Sequence, residues 1–211
     1  MNQLINENCI DGLAKIHPET VDLVVTSPPY DNLRSYNNSS EWNYDIFTQV
    51  ANELIAVLKP GGVIAWNVAD AIIPLHGRNP SSGTSFSGSS FRQCLYFMDR
   101  GLNLQDNLLY QKHNARFASG PKSMRHTNVY EYCFILSKGR PSFVKLICDK
   151  PNKGYGTTFT RNSGRSVDGS LDHPPIKNQI AIRKFGARTN IWLCSNTVSY
   201  THLTLPTKQM V

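Results

Sequence analysis

Two short apolar runs with one amphipathic segment between them fix the architecture this chain can adopt. The first, VDLVVT (residues 21–26), is β-branched and aliphatic and halts at a pair of prolines, which predicts a buried strand. The second, VIAWNV (residues 63–68), has the same texture. Between them, NYDIFTQVANELIAVLKPGG puts Ile46, Phe47, Val50, Leu54, Val57 and Leu58 on one helical face. Asn43 or Asp45 can cap that helix, and Lys59-Pro60-Gly61-Gly62 is expected to stop it. Strand, helix and strand in quick succession imply parallel pairing through a right-handed crossover, hence an α/β sheet. A short helix over DGLAKIHPE, ending at Pro18, is expected ahead of the first strand.

The next stretch, IPLHGRNPSSGTSFSGSS, predicts a long Ser/Gly-rich loop, followed by a helix from about Phe91 to Arg100 that ends at Gly101. DNLLYQK (106–112) and VYEYCFILS (129–137) read as strands with no helix between them, so they are expected to pair antiparallel. Residues 139–190 change in texture. They are rich in Gly, Ser, Asn, Lys and Arg with weak periodicity, which suggests a loop-heavy inserted module. The expected division is 1–138 for the sheet portion, 139–190 for the module, and 191–197 for a return toward the sheet.

Composition narrows the setting. The chain has five cysteines, scattered and without a Cys-x-x-Cys pair, which points to reduced thiols in a cytosolic protein and away from a disulfide framework or zinc site. His76, His113 and His126 lack metal-ligand spacing, so no metal is expected. No apolar run reaches the roughly 20 residues that span a bilayer, and the N-terminus lacks a secretory pattern. Charge is unevenly spread: residues 1–100 carry six Lys/Arg against ten Asp/Glu, whereas 101–197 carry fifteen against five. Such a basic half suits a polyanion, and equally a solvated surface.

The chemistry concentrates at Ser27-Pro28-Pro29-Tyr30, at the C-terminal end of the first strand, where open α/β sheets place their ligands. Two prolines fix φ and remove two N–H donors, so the corner presents carbonyls. A serine hydroxyl beside them can accept from an amino group, and the tyrosine ring offers a face for a base. The corner therefore suits a planar group bearing an exocyclic amine. On its own the tetrapeptide also fits a plain strand-to-loop turn.

With its context, the run resembles the permuted (beta-type) SAM-dependent amino-methyltransferases of DNA, the N4-cytosine and N6-adenine family. The residues that carry the likeness are SPPY itself, the upstream INENCIDGL, LKPGG at 58–62, RHTNVYEYCFILSKG at 125–139, and NKGYG and RTNIW further on, together about residues 2–194. The resemblance implies a Rossmann-like methyltransferase sheet with an inserted recognition module. It implies methyl transfer from S-adenosyl-L-methionine to a base flipped out of double-stranded DNA. A serine-first tetrapeptide favours cytosine N4; adenine N6, or a non-catalytic DNA-binding fragment, is the alternative, and RNA or a protein amide is a more distant one. In this reading Ser27 and the Pro28 carbonyl accept from the target amine, Pro29 stiffens the corner, and Tyr30 stacks on the base. Asn8, Cys9 and Ser27 lie by the cofactor, with Asn8 standing where family members usually carry Asp. Arg34, Lys153, Arg161, Arg165, Arg183, Lys184 and Arg188 are the expected DNA contacts, and a cognate restriction endonuclease is a natural companion in a bacterial or phage host.

Cys94, Cys133 and Cys148 sit in apolar surroundings and are expected in the core, and the absence of a Pro-Cys dipeptide argues against carbon-5 methylation. The family's Asp-Pro-Phe-x-Gly-x-Gly cofactor loop does not occur in the chain. VSYTHLTLPT (198–207) resembles a reading frame of a sequencing adapter, so the natural sequence is expected to end near Thr197, before the cofactor half.

Overall fold

A computed structural model describes residues 3–30, 42–74, 84–112, 126–160, 164–165, 168, 170–172 and 179–194. Helix α1 spans Cys9–Ala14, so it starts earlier than expected, because the Asn8 side chain accepts from the Ile10 N–H and caps it there. Strand β1 (Val21–Thr26) leads to α2 (Tyr44–Val57), which Asn43 caps through a 2.9 Å bond from the Ile46 N–H. Helix α2 buries Phe47, Val50, Leu54 and Val57 of the predicted stripe and Ala51 besides, while Ile46 is partly buried and Leu58 already belongs to the next strand.

The KPGG segment is a correction. It does not form a turn outside the sheet; β2 runs from Leu58 to Val68 and includes it. Val21 pairs with Leu58 and Leu23 with Val63, so two steps along β1 match five along β2. The surplus bulges outward at Gly61, whose φ of 79° lies in the left-handed region that glycine tolerates. The expected Ser/Gly loop also contains a ladder, with β3 (Ile72–Pro74) antiparallel to β4 (Thr84–Phe86). Helix α3 (Ser89–Asp99) follows, its start held by Asp70, which accepts from the Ser90 N–H at 2.9 Å and the Ser90 hydroxyl at 2.7 Å.

Strands β5 (Asn103–Lys112) and β6 (Tyr130–Ser137) pair antiparallel, as expected. Much later in the chain β13 (Ile191–Cys194) returns parallel to β5. The described sheet has the order β1-β2-β6-β5-β13, with β1 and β2 parallel and β2 and β6 antiparallel. One face, carrying Ile64, Trp66, Phe134 and Leu136, is buried with residues of α2 and α3. Phe47, Trp66 and Phe97 meet edge to face there at 5.2–5.8 Å, and the Trp66 indole N–H donates to Gln93 at 2.8 Å. The expectation that β1 is a buried strand is only half met. Leu23 is 58% and Val25 73% exposed, because among the described residues β1 is an edge strand and its opposite face has no cover.

Residues 144–189 form a separate compact unit. Its strands pair in nested order: β7 (Lys150–Pro151) with β12 (Phe185–Gly186), β8 (Thr158–Thr160) with β11 (Gln179–Ala181), and β9 (Gly164–Arg165) with β10 (Leu171–Asp172). The segment therefore runs out and back as an antiparallel ribbon instead of a plain loop. Cys148, expected in the core, is exposed, in line with its neighbours Leu146 at 65% and Ile147 at 46% exposure; Cys94 is buried and Cys133 partly so. No helix among the described residues is long and apolar enough to cross a membrane.

Candidate active site

The C-terminal end of β1 opens onto a cavity of about 460 Å³, within the range of small-molecule pockets. Ser27, Pro28 and Pro29 form part of its wall, and Asn8, Cys9 and Leu13 form another part. Two groups of residues far apart in sequence, one expected to grip an amine and one expected beside a cofactor, thus face a common space. Val50 and Leu54 from α2 and Trp66 from β2 make the remainder largely apolar. Trp42 also lines it, and its indole Nε1 is buried without a hydrogen-bond partner among the described residues. A buried donor of that kind normally finds an acceptor, which a bound ligand can supply.

Asn8 reaches the cavity with its carbonyl oxygen already engaged by the Ile10 N–H. Its amide NH2 can still donate, whereas an aspartate in its place could only accept. Cys9 is an exposed free thiol.

Tyr30 behaves differently from the expectation. Its ring is packed in the core at 8% exposure and does not stand free as a stacking surface. The reason lies in its hydroxyl, which the sheet holds from three sides. It donates to Glu131 Oε2 at 2.9 Å, accepts from Asn67 Nδ2 at 2.7 Å, and lies 2.9 Å from the Ser27 hydroxyl. Asn67 also donates to Glu131 Oε2 at 3.0 Å, and the Lys112 ammonium is ion-paired to Glu131 Oε1. Burial pushes the Tyr30 phenol well above its usual range, and the neighbouring carboxylate adds to this. Burial alone would also raise Glu131, but Lys112, Asn67 and Tyr30 all bind its charged form and hold it below the usual carboxylate range.

Glu131, Asn67 and Lys112 are site residues that sequence reasoning missed. The available signal was an acidic residue inside an otherwise apolar and aromatic strand, VYEYCFILS. Register supplies the rest: Asn67 opposes Cys133 across β2 and β6, and Lys112 ends the strand paired to β6.

The expected DNA contacts divide. Lys153, Arg183 and Lys184 are exposed on the ribbon unit. Arg188 is ion-paired to Asp149, with Nε at 2.9 Å from the carboxylate, on the same unit. Arg165 lies in β9, and Arg34 and Arg161 fall outside the described residues. Among the described residues there is no cluster of groups able to hold a metal.

Residues 21–204 match the sequence model of the DNA methylase family of N6/N4 methyltransferases. The chain belongs to this DNA methylase family. It is 40% identical over 178 residues to the orphan methyltransferase M.BamHII of Bacillus amyloliquefaciens, covering 84% of this chain and 60% of that protein. It is 30% identical over 151 residues to the type II beta methyltransferase M.BslI of Bacillus sp. (strain NEB-606), covering 64% of this chain and 16% of that one. Among solved structures, the PvuII DNA methyltransferase (cytosine-N4-specific) superposes with a TM-score of 0.55 at 17% identity, over 92% of this chain and 57% of that one. This family member therefore has the Rossmann-like methyltransferase fold, and it spans about three fifths of the length of M.BamHII.

Proposed function

We propose that the chain acts in methyl transfer from S-adenosyl-L-methionine to the exocyclic N4 of cytosine in double-stranded DNA. The observation that carries this reading is the shared cavity, with Ser27-Pro28-Pro29 on one wall and Asn8 and Cys9 on another. The apolar lining and the unpartnered Trp42 donor suit a flat heteroaromatic group with acceptor atoms, such as an adenine. Asn8, Cys9 and Trp42 would hold the cofactor there, and when bound it supplies an electrophilic methyl group.

The chain's own residues do the rest. An exocyclic amine is a poor nucleophile because its lone pair is delocalised into the ring. Ser27 Oγ and the Pro28 carbonyl accept its two N–H bonds, which favours a tetrahedral nitrogen and frees the lone pair. As the new C–N bond forms, positive charge grows on nitrogen and both acceptors stabilise it. One N–H proton then leaves to solvent. Tyr30, tied into the sheet, holds Ser27 in position and is not itself the stacking surface. The ribbon of residues 144–189 is the DNA reader in this proposal. A two-stranded ribbon fits the major groove, and Lys153, Arg183 and Lys184 can meet phosphates.

Nucleoside mass spectrometry on DNA from cells expressing the chain tests the reading. N4-methylcytosine is expected, and Ser27→Ala should abolish it. N6-methyladenine instead would transfer the same corner to adenine. DNA binding with neither product would leave a DNA-binding protein without this chemistry.

A further inference from the structure

We infer that Glu131 is the positioning residue that fixes which way the Ser27 hydroxyl points, making Ser27 an acceptor only. This rests on the reading of Ser27 as the group that grips the amine. The argument is a count of protons. Glu131 carries two oxygens, one bound to Lys112 and the other receiving the Tyr30 hydroxyl at 2.9 Å. As a carboxylate it can only accept, so the single Tyr30 proton must lie on that bond. Asn67 can only donate through Nδ2, and at 2.7 Å it occupies one lone pair of the Tyr30 oxygen. The contact left at that oxygen is Ser27 Oγ at 2.9 Å. With the tyrosine proton already committed, Ser27 must be the donor there. Its hydrogen is turned toward Tyr30, and its lone pairs remain for the cavity that it lines.

The consequence is selectivity for an amine over a carbonyl at the same ring position. A free serine hydroxyl rotates and serves either partner. One whose proton is held elsewhere rejects an acceptor, because two facing acceptors leave both unsatisfied. The directing charge lies three hydrogen bonds from the substrate group, on a buried residue of 8% exposure.

Glu131→Gln removes the acceptor that fixes the chain of bonds. Lys112 requires an acceptor, so the new amide oxygen faces Lys112 and the NH2 faces Tyr30. The Asn67 amide, which donated to the carboxylate, must turn its oxygen toward that NH2, and the Tyr30 proton, with no acceptor left at residue 131, turns to Ser27 or Asn67. Proton NMR on protein with ¹³Cζ-labelled tyrosine reads this directly, with Tyr30→Phe identifying the resonance. In the unsubstituted chain the Tyr30 hydroxyl proton is expected to cross-relax with Glu131, and in Glu131→Gln that contact should be lost in favour of Ser27 or Asn67. Ser27→Ala, which leaves Glu131 in place, should not move that proton. A Tyr30 proton found on Ser27 in the unsubstituted chain overturns the inference, as does one displaced by Ser27→Ala. The Ser27→Ala arm decides the matter even where Glu131→Gln fails to fold.

The kinetic arm follows on plasmid DNA. Glu131→Gln should lower kcat on the order of 100-fold with little change in KM, the mark of a group felt mainly in the transition state. An unchanged kcat in Glu131→Gln, with the tyrosine proton displaced, would separate the proton direction from catalysis and refute its use. If no variant and no parent chain methylates DNA, the functional proposal fails, while the NMR arm still decides the hydroxyl direction.

Discussion

Glu131 shows how a single side chain can be both a structural cost and an organiser. A carboxylate in a sheet is disfavoured by desolvation, and only its three donors offset that penalty. Because its folded pKa lies below the unfolded value of about 4.3, its contribution to stability is present above that value. It is lost as pH falls through the folded pKa. Urea unfolding of the parent chain and Glu131→Gln between about pH 6 and pH 3 should therefore show the stability difference shrinking toward acid, since protonation makes the parent resemble the variant. A difference that stays constant across the range would mean the carboxylate is not held by Lys112 and Asn67. Part of this corner was legible in the order of residues alone. Ser27, Pro28 and Pro29 were legible because two prolines can do little but stiffen a corner. Glu131 and Asn67 were not, because each reads as an ordinary polar residue until register brings them together beneath Tyr30.

At the scale of elements, what was local in cause was legible and what depended on partners was not. Helix α2 could be read because its apolar spacing and its Asn43 cap lie within one short stretch. The exposure of Leu23 and Val25 could not, since an apolar strand looks alike at the edge and in the middle of a parallel sheet. The KPGG bulge misled for a related reason. Pro and Gly mark a break in regular structure but not whether the ladder resumes around it. The bulge makes its own prediction. Gly61 has positive φ, and a Cβ there would lie 3.0 Å from the Ser142 backbone nitrogen and 3.1 Å from the Arg140 carbonyl oxygen. Gly61→Ala should cost about 1–2 kcal/mol from backbone handedness alone, more if the neighbours cannot give way. Denaturant midpoints measure it. An unchanged midpoint would mean the bulge relaxes freely.

For the whole molecule, the separation of two compact units matters more than any one contact. The composition shift lies near residue 139 and the second unit begins at Val144, and strands of two or three residues are too short for periodicity to reveal the nested pairing. If the ribbon supplies phosphate contacts, Lys153→Ala combined with Arg183→Ala should weaken DNA binding across sequences alike. The slope of log affinity against log salt should flatten by about 0.9 for each contact removed. A slope unchanged in the double variant would assign the phosphate contacts to other residues. The way the ribbon joins the sheet has an evolutionary reach. On the outgoing side the Ser142 N–H is bonded to the Gly61 carbonyl, and on the returning side the Asn190 carbonyl accepts from the Leu109 N–H. Each anchor pairs a main-chain bond with one from the Ser142 or Asn190 side chain, and neither involves the residues that lie between them. If the ribbon is the DNA reader, a chain stitched in this manner can trade one reading cassette for another by recombination, acquiring a new address on the genome while the sheet stays as it was.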